Sequence, residues 1–309
     1  VLELLEALLS STLDYAPALV FAALGAALSE RAGVVSLHVE GMMRTGAFVA
    51  AVAALHLPTP AAIGVGMLGA AAVAGVHALF ALKLRADQVI SGMALNLLAL
   101  SLFSFLLEAL YLPTGTPDIA QLERHVFDVL QGISLLRALN GHTHLTWLAL
   151  VLPLAVSLVL HRTALGLRIR AVGEAPGAVA TLGVSVARLR TGCVVVGGLL
   201  AGLGGAALST TTLNRFEQHM PAGLGYMALA AMVFGRWTPL GAFGAAVFFA
   251  AGNALRVGLA SSAPALMQVV PQGVLMALPY ALTLVVLAFQ GGRAQAPVAL
   301  GIPYDPERR

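Results

Sequence analysis

The apolar positions of this chain run in long stretches, separated by short connections that hold most of its charged residues. A bilayer core of about 30 Å takes roughly 20 apolar residues per helical span, fewer where a helix is short or broken. That rule places candidate spans at Leu13–Leu28, Val34–Leu57, Thr59–Leu82, Val89–Leu112, Leu145–Leu160, Thr191–Leu213, Ala222–Phe234, Leu240–Leu259 and Leu266–Phe289. The pattern predicts an all-α integral membrane protein. It is a polytopic helical bundle of about nine spans (eight to ten, the first and seventh stretches being short) with short or broken helices.

Basic residues assign the sides. Alternation across nine spans collects Arg31, Lys83, Arg85, Arg162, Arg168, Arg170, Arg188, Arg190, Arg236, Arg293, Arg308 and Arg309 on one side. Arg124, Arg137, Arg215 and Arg256 fall on the other, and Arg44 lies inside a span. The positive-inside rule makes the first side cytoplasmic, which puts the N-terminus outside and the C-terminus in the cytoplasm. A single transmembrane domain over residues 1–290 is expected, with an outer loop at 113–144, an inner loop at 161–190 and a cytoplasmic tail at 291–309. Val126, Leu130 and Ile133 recur at helical spacing, so a short interfacial helix is expected in the outer loop. The first stretch follows Glu3 and Glu6 rather than a basic region, and is expected to be retained as a span.

Composition agrees. The chain is 59% hydrophobic and 10% charged, where a soluble domain carries about a quarter charged residues. Its net charge of +3 is spread between apolar segments and forms no stripe for nucleic acid. The single cysteine, Cys193, rules out an intramolecular disulfide and reads as a buried, inert thiol. Close to helical spacing, Gly197, Gly198, Gly202, Gly204 and Gly205 suit either tight helix packing or a moving hinge.

Several chemistries are missing. The only lysine, Lys83, stands outside any Gly-Lys-Ser/Thr sequence, so the chain has no P-loop. There is no Gly-x-Ser-x-Gly elbow or His-Glu-x-x-His pair, and no catalytic residue is assigned. His142 and His144 lack nearby acidic partners in sequence and read as a solvated loop rather than a metal site. Polar groups inside spans are costly and need a reason. Glu40 pairs with Arg44 on one helix face, caps a broken helix, or lines a translocation path. Asn96 suits sugar hydroxyls or a base edge, and equally hydrogen bonds between helices. Glu108 reads as solvated near the outer surface. An ion-coupled transporter would need an intramembrane relay, for which Glu40 with Asn96 is the one candidate.

The inner loop, Gly166 to Val184, is built as a docking knob. Pro176 suits a first helical turn, Glu174 just ahead complements the positive helix end, Ala178–Leu182 continues the helix and Gly183 suits its C′ position. Gly166–Gly183 resembles the loop of ABC importer permeases of the branched-chain amino acid and simple-sugar group. Ser29–Val35 with Glu40-Gly41-Met42-Met43, Leu84–Gly92 with Asn96, and Ala228–Leu240 with Gly235-Arg236-Trp237-Thr238-Pro239 resemble the nucleoside permeases of that group. Departures stand at Ser36, His38 and Gly177.

The resemblance implies a subunit of an ATP-driven importer that takes up nucleosides by alternating access, with a simple sugar such as ribose, or a branched-chain amino acid, as alternative cargo. It implies a second related permease, a separate ATPase with two nucleotide-binding halves that holds ATP and Mg, and an extracytoplasmic substrate-binding lipoprotein, in a prokaryotic inner membrane. Gly173, Glu174, Pro176, Ala178, Leu182 and Gly183 would couple to the ATPase. Glu40, Phe48 and Asn96 would lie on the substrate path, and the outer Arg124, Arg137, Arg215 and Arg256 would steer the binding protein. No cofactor or metal is expected in this chain.

Overall fold

A computed structural model of the chain describes residues 2–111, 114–126, 137–262 and 295–305. Among these it forms α1 (Leu2–Arg31), α2 (Val39–Ala54), α3 (Thr59–Ala78), α4 (Gln88–Leu110), α5 (His144–Arg162), α6 (Ala164–Glu174), α7 (Pro176–Thr181), α8 (Val186–Ala207), α9 (Leu224–Phe234) and α10 (Pro239–Ser262). Wide π turns, Leu79–Lys83 and Leu208–Thr212, extend α3 and α8. The strands β1 (Arg124–His125) and β2 (His142–Thr143) form a two-residue antiparallel ladder.

Local chemistry sets the helix ends. Asp87 caps α4 by accepting from Val89 and Ile90 N–H, and Thr163 and Ser185 cap α6 and α8. Pro176 opens α7, and Gly183, at φ +78°, follows its last turn. Thus the short helix expected in the inner loop forms as the residues dictate.

Six helices are long and apolar enough to cross a membrane: α1, α3, α4, α5, α8 and α10. The expected count of about nine is therefore not met by full-length helices among the described residues. The second candidate becomes a 16-residue helix that starts five residues later than its apolar run, and the seventh an 11-residue helix. The ninth candidate, Leu266–Phe289, and most of the interfacial helix expected around Leu130 and Ile133 lie outside the described residues.

Apolar side chains gain little by moving from lipid to protein, so helices in a bilayer associate through close packing. Helix α8 illustrates this with its glycines. Gly197 lies against Gly25 and Gly204 against Ala18 of α1; Gly198 and Gly202 lie against Ala74 and Ala70 of α3; Gly205 lies against the Met43 carbonyl of α2. A Cβ at Gly202 would stand 2.5 Å from the Ala70 Cβ. The glycine run thus serves tight packing. Helix α4 is the opposite case, with Ile90, Met93, Leu97 and Phe105 more than half exposed along one face.

Contacts sort the connections into two ends. At the basic end, Arg31 donates to the Trp237 carbonyl (2.6 Å) and the Arg236 carbonyl (2.9 Å). Both acceptors sit at left-handed φ, 54° and 53°, a strained turn that Glu30 also holds through Trp237 Nε1 at 2.7 Å. Segment 295–305, part of the expected tail, packs here: Ala299 N donates to the Gly173 carbonyl, Gly301 N to the Gly33 carbonyl, and the buried Arg190 donates to the Ile302 carbonyl. Glu174 accepts from Val298 N at 3.3 Å.

At the opposite end, Thr116 N donates to the Phe216 carbonyl and Ile119 N to the Asn214 carbonyl. Asp14 of α1 pairs with Arg124 (3.5 Å) and with His142 (3.0 Å), so His142 has an acidic partner in space that its sequence neighbourhood lacks. His144 lies against His125 with the two rings tilted by 56°. Glu108 accepts from Gln218 at 3.2 Å. Among the described residues no group of three metal-ligating side chains forms.

Two predictions follow from this packing. A Gly205→Ala change must displace the α2 backbone and should lower stability by about 1–3 kcal/mol, whereas Gly244→Ala, with open space around it, should be neutral; thermal unfolding in detergent reads both. Burial works against the His142 cation, yet Asp14 and the Ala138 carbonyl outweigh it and hold its pKa above the usual 6.5. A raised histidine pKa means stabilisation that is fully present below about 6.5 and lost as pH rises through the folded value. Asp14→Asn should therefore cost more stability at about pH 5.5 than at about pH 9.

Candidate functional site

The site grows from a stretch that fails to become helix. The chain leaves α1 at Gly33, φ +88°, and runs non-helically from Val34 to His38 between spans. Buried non-helical backbone survives only if its polar groups find partners inside the protein, since each orphan costs about 1–3 kcal/mol. Side chains of three helices supply them. Ser36 N donates to Glu30 of α1 (3.1 Å), and Val35 N to Gln88 of α4 (2.9 Å). His77 of α3 meets the Val35 carbonyl (3.1 Å) and stacks on His38, and Asn96 of α4 donates to the Leu37 carbonyl (2.7 Å).

Where α2 begins, α9 begins as well. Gly223 and Gly225, at the start of α9, donate to the two oxygens of Glu40 at 2.8 and 2.7 Å. A carboxylate from one short helix thus caps the positive end of another. Gly225 has to be glycine, because a Cβ there would lie 2.6 Å from the Glu40 Cα. Asn96 accepts from Gly41 N (2.8 Å) and donates to Tyr226 Oη (3.1 Å) as well as to Leu37. The two helix starts, Glu40, Asn96 and Tyr226 form one cluster.

Of the readings open for Glu40, the helix cap is the one its hydrogen bonds display. It makes no ion pair with Arg44, which instead donates to the Gln218 carbonyl at 2.9 Å. Asn96 spends its amide on interhelical bonds. Phe48 stays apart, two turns along α2, buried with Phe103 (4.9 Å) and Phe216 (5.1 Å). Sequence reasoning missed Tyr226, which is 49% exposed and whose hydroxyl proton has no acceptor among the described residues. The available signal was Gly223-Leu224-Gly225-Tyr226 after Pro221, a helix start bare enough to need a cap from elsewhere.

The coupling residues gather at the basic end. Gly173 is closed against the Arg31 carbonyl, and Glu174 holds segment 295–305. Pro176 and Ala178 belong to α7, while Leu182, 82% exposed, projects just before Gly183. The four opposite-end arginines are less available than expected. Arg124 pairs with Asp14, Arg215 with Glu217 (2.8 Å) and Asp118 (3.8 Å), and Arg256 turns back onto Asn253. Arg137 begins the turn into β2, its carbonyl accepting from Asn140 N.

Residues 8–279 match the family model of the branched-chain amino acid transport system permease component. The chain belongs to this family. It is 36% identical over its whole length to the guanosine ABC transporter permease protein NupQ of Bacillus subtilis, covering 99% of that protein. It is 34% identical to the nucleoside ABC transporter permease protein NupC of Lactococcus lactis, over 98% of both chains. A putative glucose ABC transporter permease protein of Haloferax volcanii is 35% identical over 96% of this chain and 94% of that one. No solved structure matches. Membership of a permease family, together with six spanning helices, makes the chain a multi-pass membrane protein.

Glu40→Gln leaves one acceptor oxygen for two backbone donors and should lower stability by about 1–3 kcal/mol, read by thermal unfolding in detergent. An unchanged midpoint would remove the cap from the account.

Proposed function

We propose that the chain is the permease subunit of an ATP-driven importer that takes up nucleosides by alternating access. Full-length similarity to the guanosine and nucleoside permeases carries this reading. ATP hydrolysis, with its Mg, belongs in this reading to a separate ATPase chain, and the lack of a P-loop here supports that division. By the positive-inside rule the basic end faces the cytoplasm of a prokaryotic inner membrane. The exposed Leu182 and Ala178 at α7 then seat in the ATPase. Motion of that knob has a mechanical route: α6 is closed against Arg31 at Gly173, and Arg31 holds the turn at the C-terminal end of α9, whose other end rests on Glu40.

A second, related permease completes the pathway, and a binding lipoprotein delivers substrate at the opposite end, near Arg124, Arg137, Arg215 and Arg256. Glu40 and Asn96 frame the path. Tyr226 is the group that meets cargo: its half-exposed ring offers a face to a nucleobase, and its hydroxyl a donor to a base edge or ribose. The glucose permease relative supports a second reading, in which the same hydroxyl and amide serve a sugar.

Uptake of labelled guanosine, ribose and glucose by the reconstituted importer separates the two; uptake of a sugar but no nucleoside overturns the first. Transport driven by an ion gradient without an ATPase overturns both. Tyr226→Ala should raise the guanosine concentration for half-maximal uptake about tenfold, the worth of one base–aromatic stack, with Tyr226→Phe milder. Ala178→Asp should abolish uptake while the protein remains folded; unchanged uptake would take α7 out of the mechanism.

A further inference from the structure

We propose that a groove between α3 and α8 at the basic end holds an anionic glycerophospholipid. The groove, about 1090 Å³, arises from how these two helices pack. They touch backbone to backbone where Gly202 meets Ala70 and Gly198 meets Ala74, then part toward the basic end. A Cβ added at Gly75 or at Gly192, one on each wall, would meet no atom within 4 Å. Leu79 and Leu82 of the π-turn region line the same space, so its membrane-side part is apolar and shaped for an acyl chain.

Its other end is cationic. Lys83 and Arg188 line it, and neither has a carboxylate within ion-pair distance among the described residues. Arg85 also lines it but is engaged by Asp305 at 3.0 Å. The N-terminus of α8 opens here too, with Ser185, Val186 and Ala187 on the wall, and 22 residues of helix dipole behind them. Among the described residues no lining residue is acidic. Two unpaired cations and a positive helix end above an apolar slot, at the side of the bundle, match a phosphodiester headgroup with its tails in the bilayer. A soluble anion would leave the slot unfilled, and the apolar part commits the site to lipid. Because Ala180 and Val184 of the α7 loop also form its wall, the lipid touches the segment that follows the docking knob.

Native mass spectrometry of the full chain, extracted from membranes of mixed phosphatidylcholine and phosphatidylglycerol, tests the site. Lys83→Gln with Arg188→Gln should weaken phosphatidylglycerol retention about tenfold through loss of two interfacial cations, while Arg162→Gln with Arg168→Gln, exposed basic residues outside the groove, should not. Gly192→Leu adds a side chain to the slot where a Cβ meets no atom within 4 Å, keeps both cations, and should displace the lipid equally well. Equal retention by the first variant and the parent overturns the proposal, as does equal loss in both double variants, which is charge attraction without a site. Retention that Gly192→Leu leaves unchanged but inorganic phosphate competes away identifies a simple anion site and overturns it too.

Discussion

Backbone that is not helical cannot stay buried in a helical bundle unless its N–H and C=O groups are satisfied by the protein, and the structure around residues 34–41 follows from that demand. Five of those residues leave the helical path, and Glu30, Gln88, His77 and Asn96 are each placed to repay the bonds the helix would have made. The start of α9 has the same need, and Glu40 meets it. Buried polar groups that look expensive one at a time are together what makes two short helices possible. Two short helices that meet start to start bring Glu40, Asn96 and Tyr226 into one polar cluster, which a bundle of unbroken spans would lack.

Around this point the bundle is rigid where glycines let backbones touch and open where they do not. Helix α8 packs through Gly197–Gly205 against α1, α2 and α3, so these four helices form a close-packed unit without a hydrophobic driving force. The basic end ties other parts to that unit. Arg31 reaches the strained turn after α9, Arg190 clasps the carbonyls of segment 295–305, and that segment holds the end of α6. A displacement of α7 therefore meets a connected set of hydrogen bonds rather than a loose loop. At the opposite end, Asp14 takes on both Arg124 and His142, which lowers the net positive charge available to a partner there.

The resemblance seen in the inner loop and in Gly235-Arg236-Trp237-Thr238-Pro239 proves to lie in residues with structural work. Arg236 and Trp237 occupy left-handed backbone that Arg31 and Glu30 stabilise, and Gly183 takes the positive φ after α7. These are local conformations that few residue types accept, so they leave a mark in sequence. Full-length similarity to a guanosine and a nucleoside permease agrees with that reading.

By itself the sequence determined that the chain is a membrane-spanning helical bundle, where the strongest spans run, which basic residues share an end and where the short helix of the inner loop stands. All of these depend on composition and on spacing along a few turns. Tertiary structure decided what Glu40 and Asn96 do, because their partners, Gly223, Gly225, Gly41 and Tyr226, lie on other helices or at a helix start that spacing alone does not mark. It also decided that α2 and α9 stop short of spanning: apolar content cannot register a break whose cost is met by side chains more than fifty residues away, such as Gln88 on Val35 and Asn96 on Leu37.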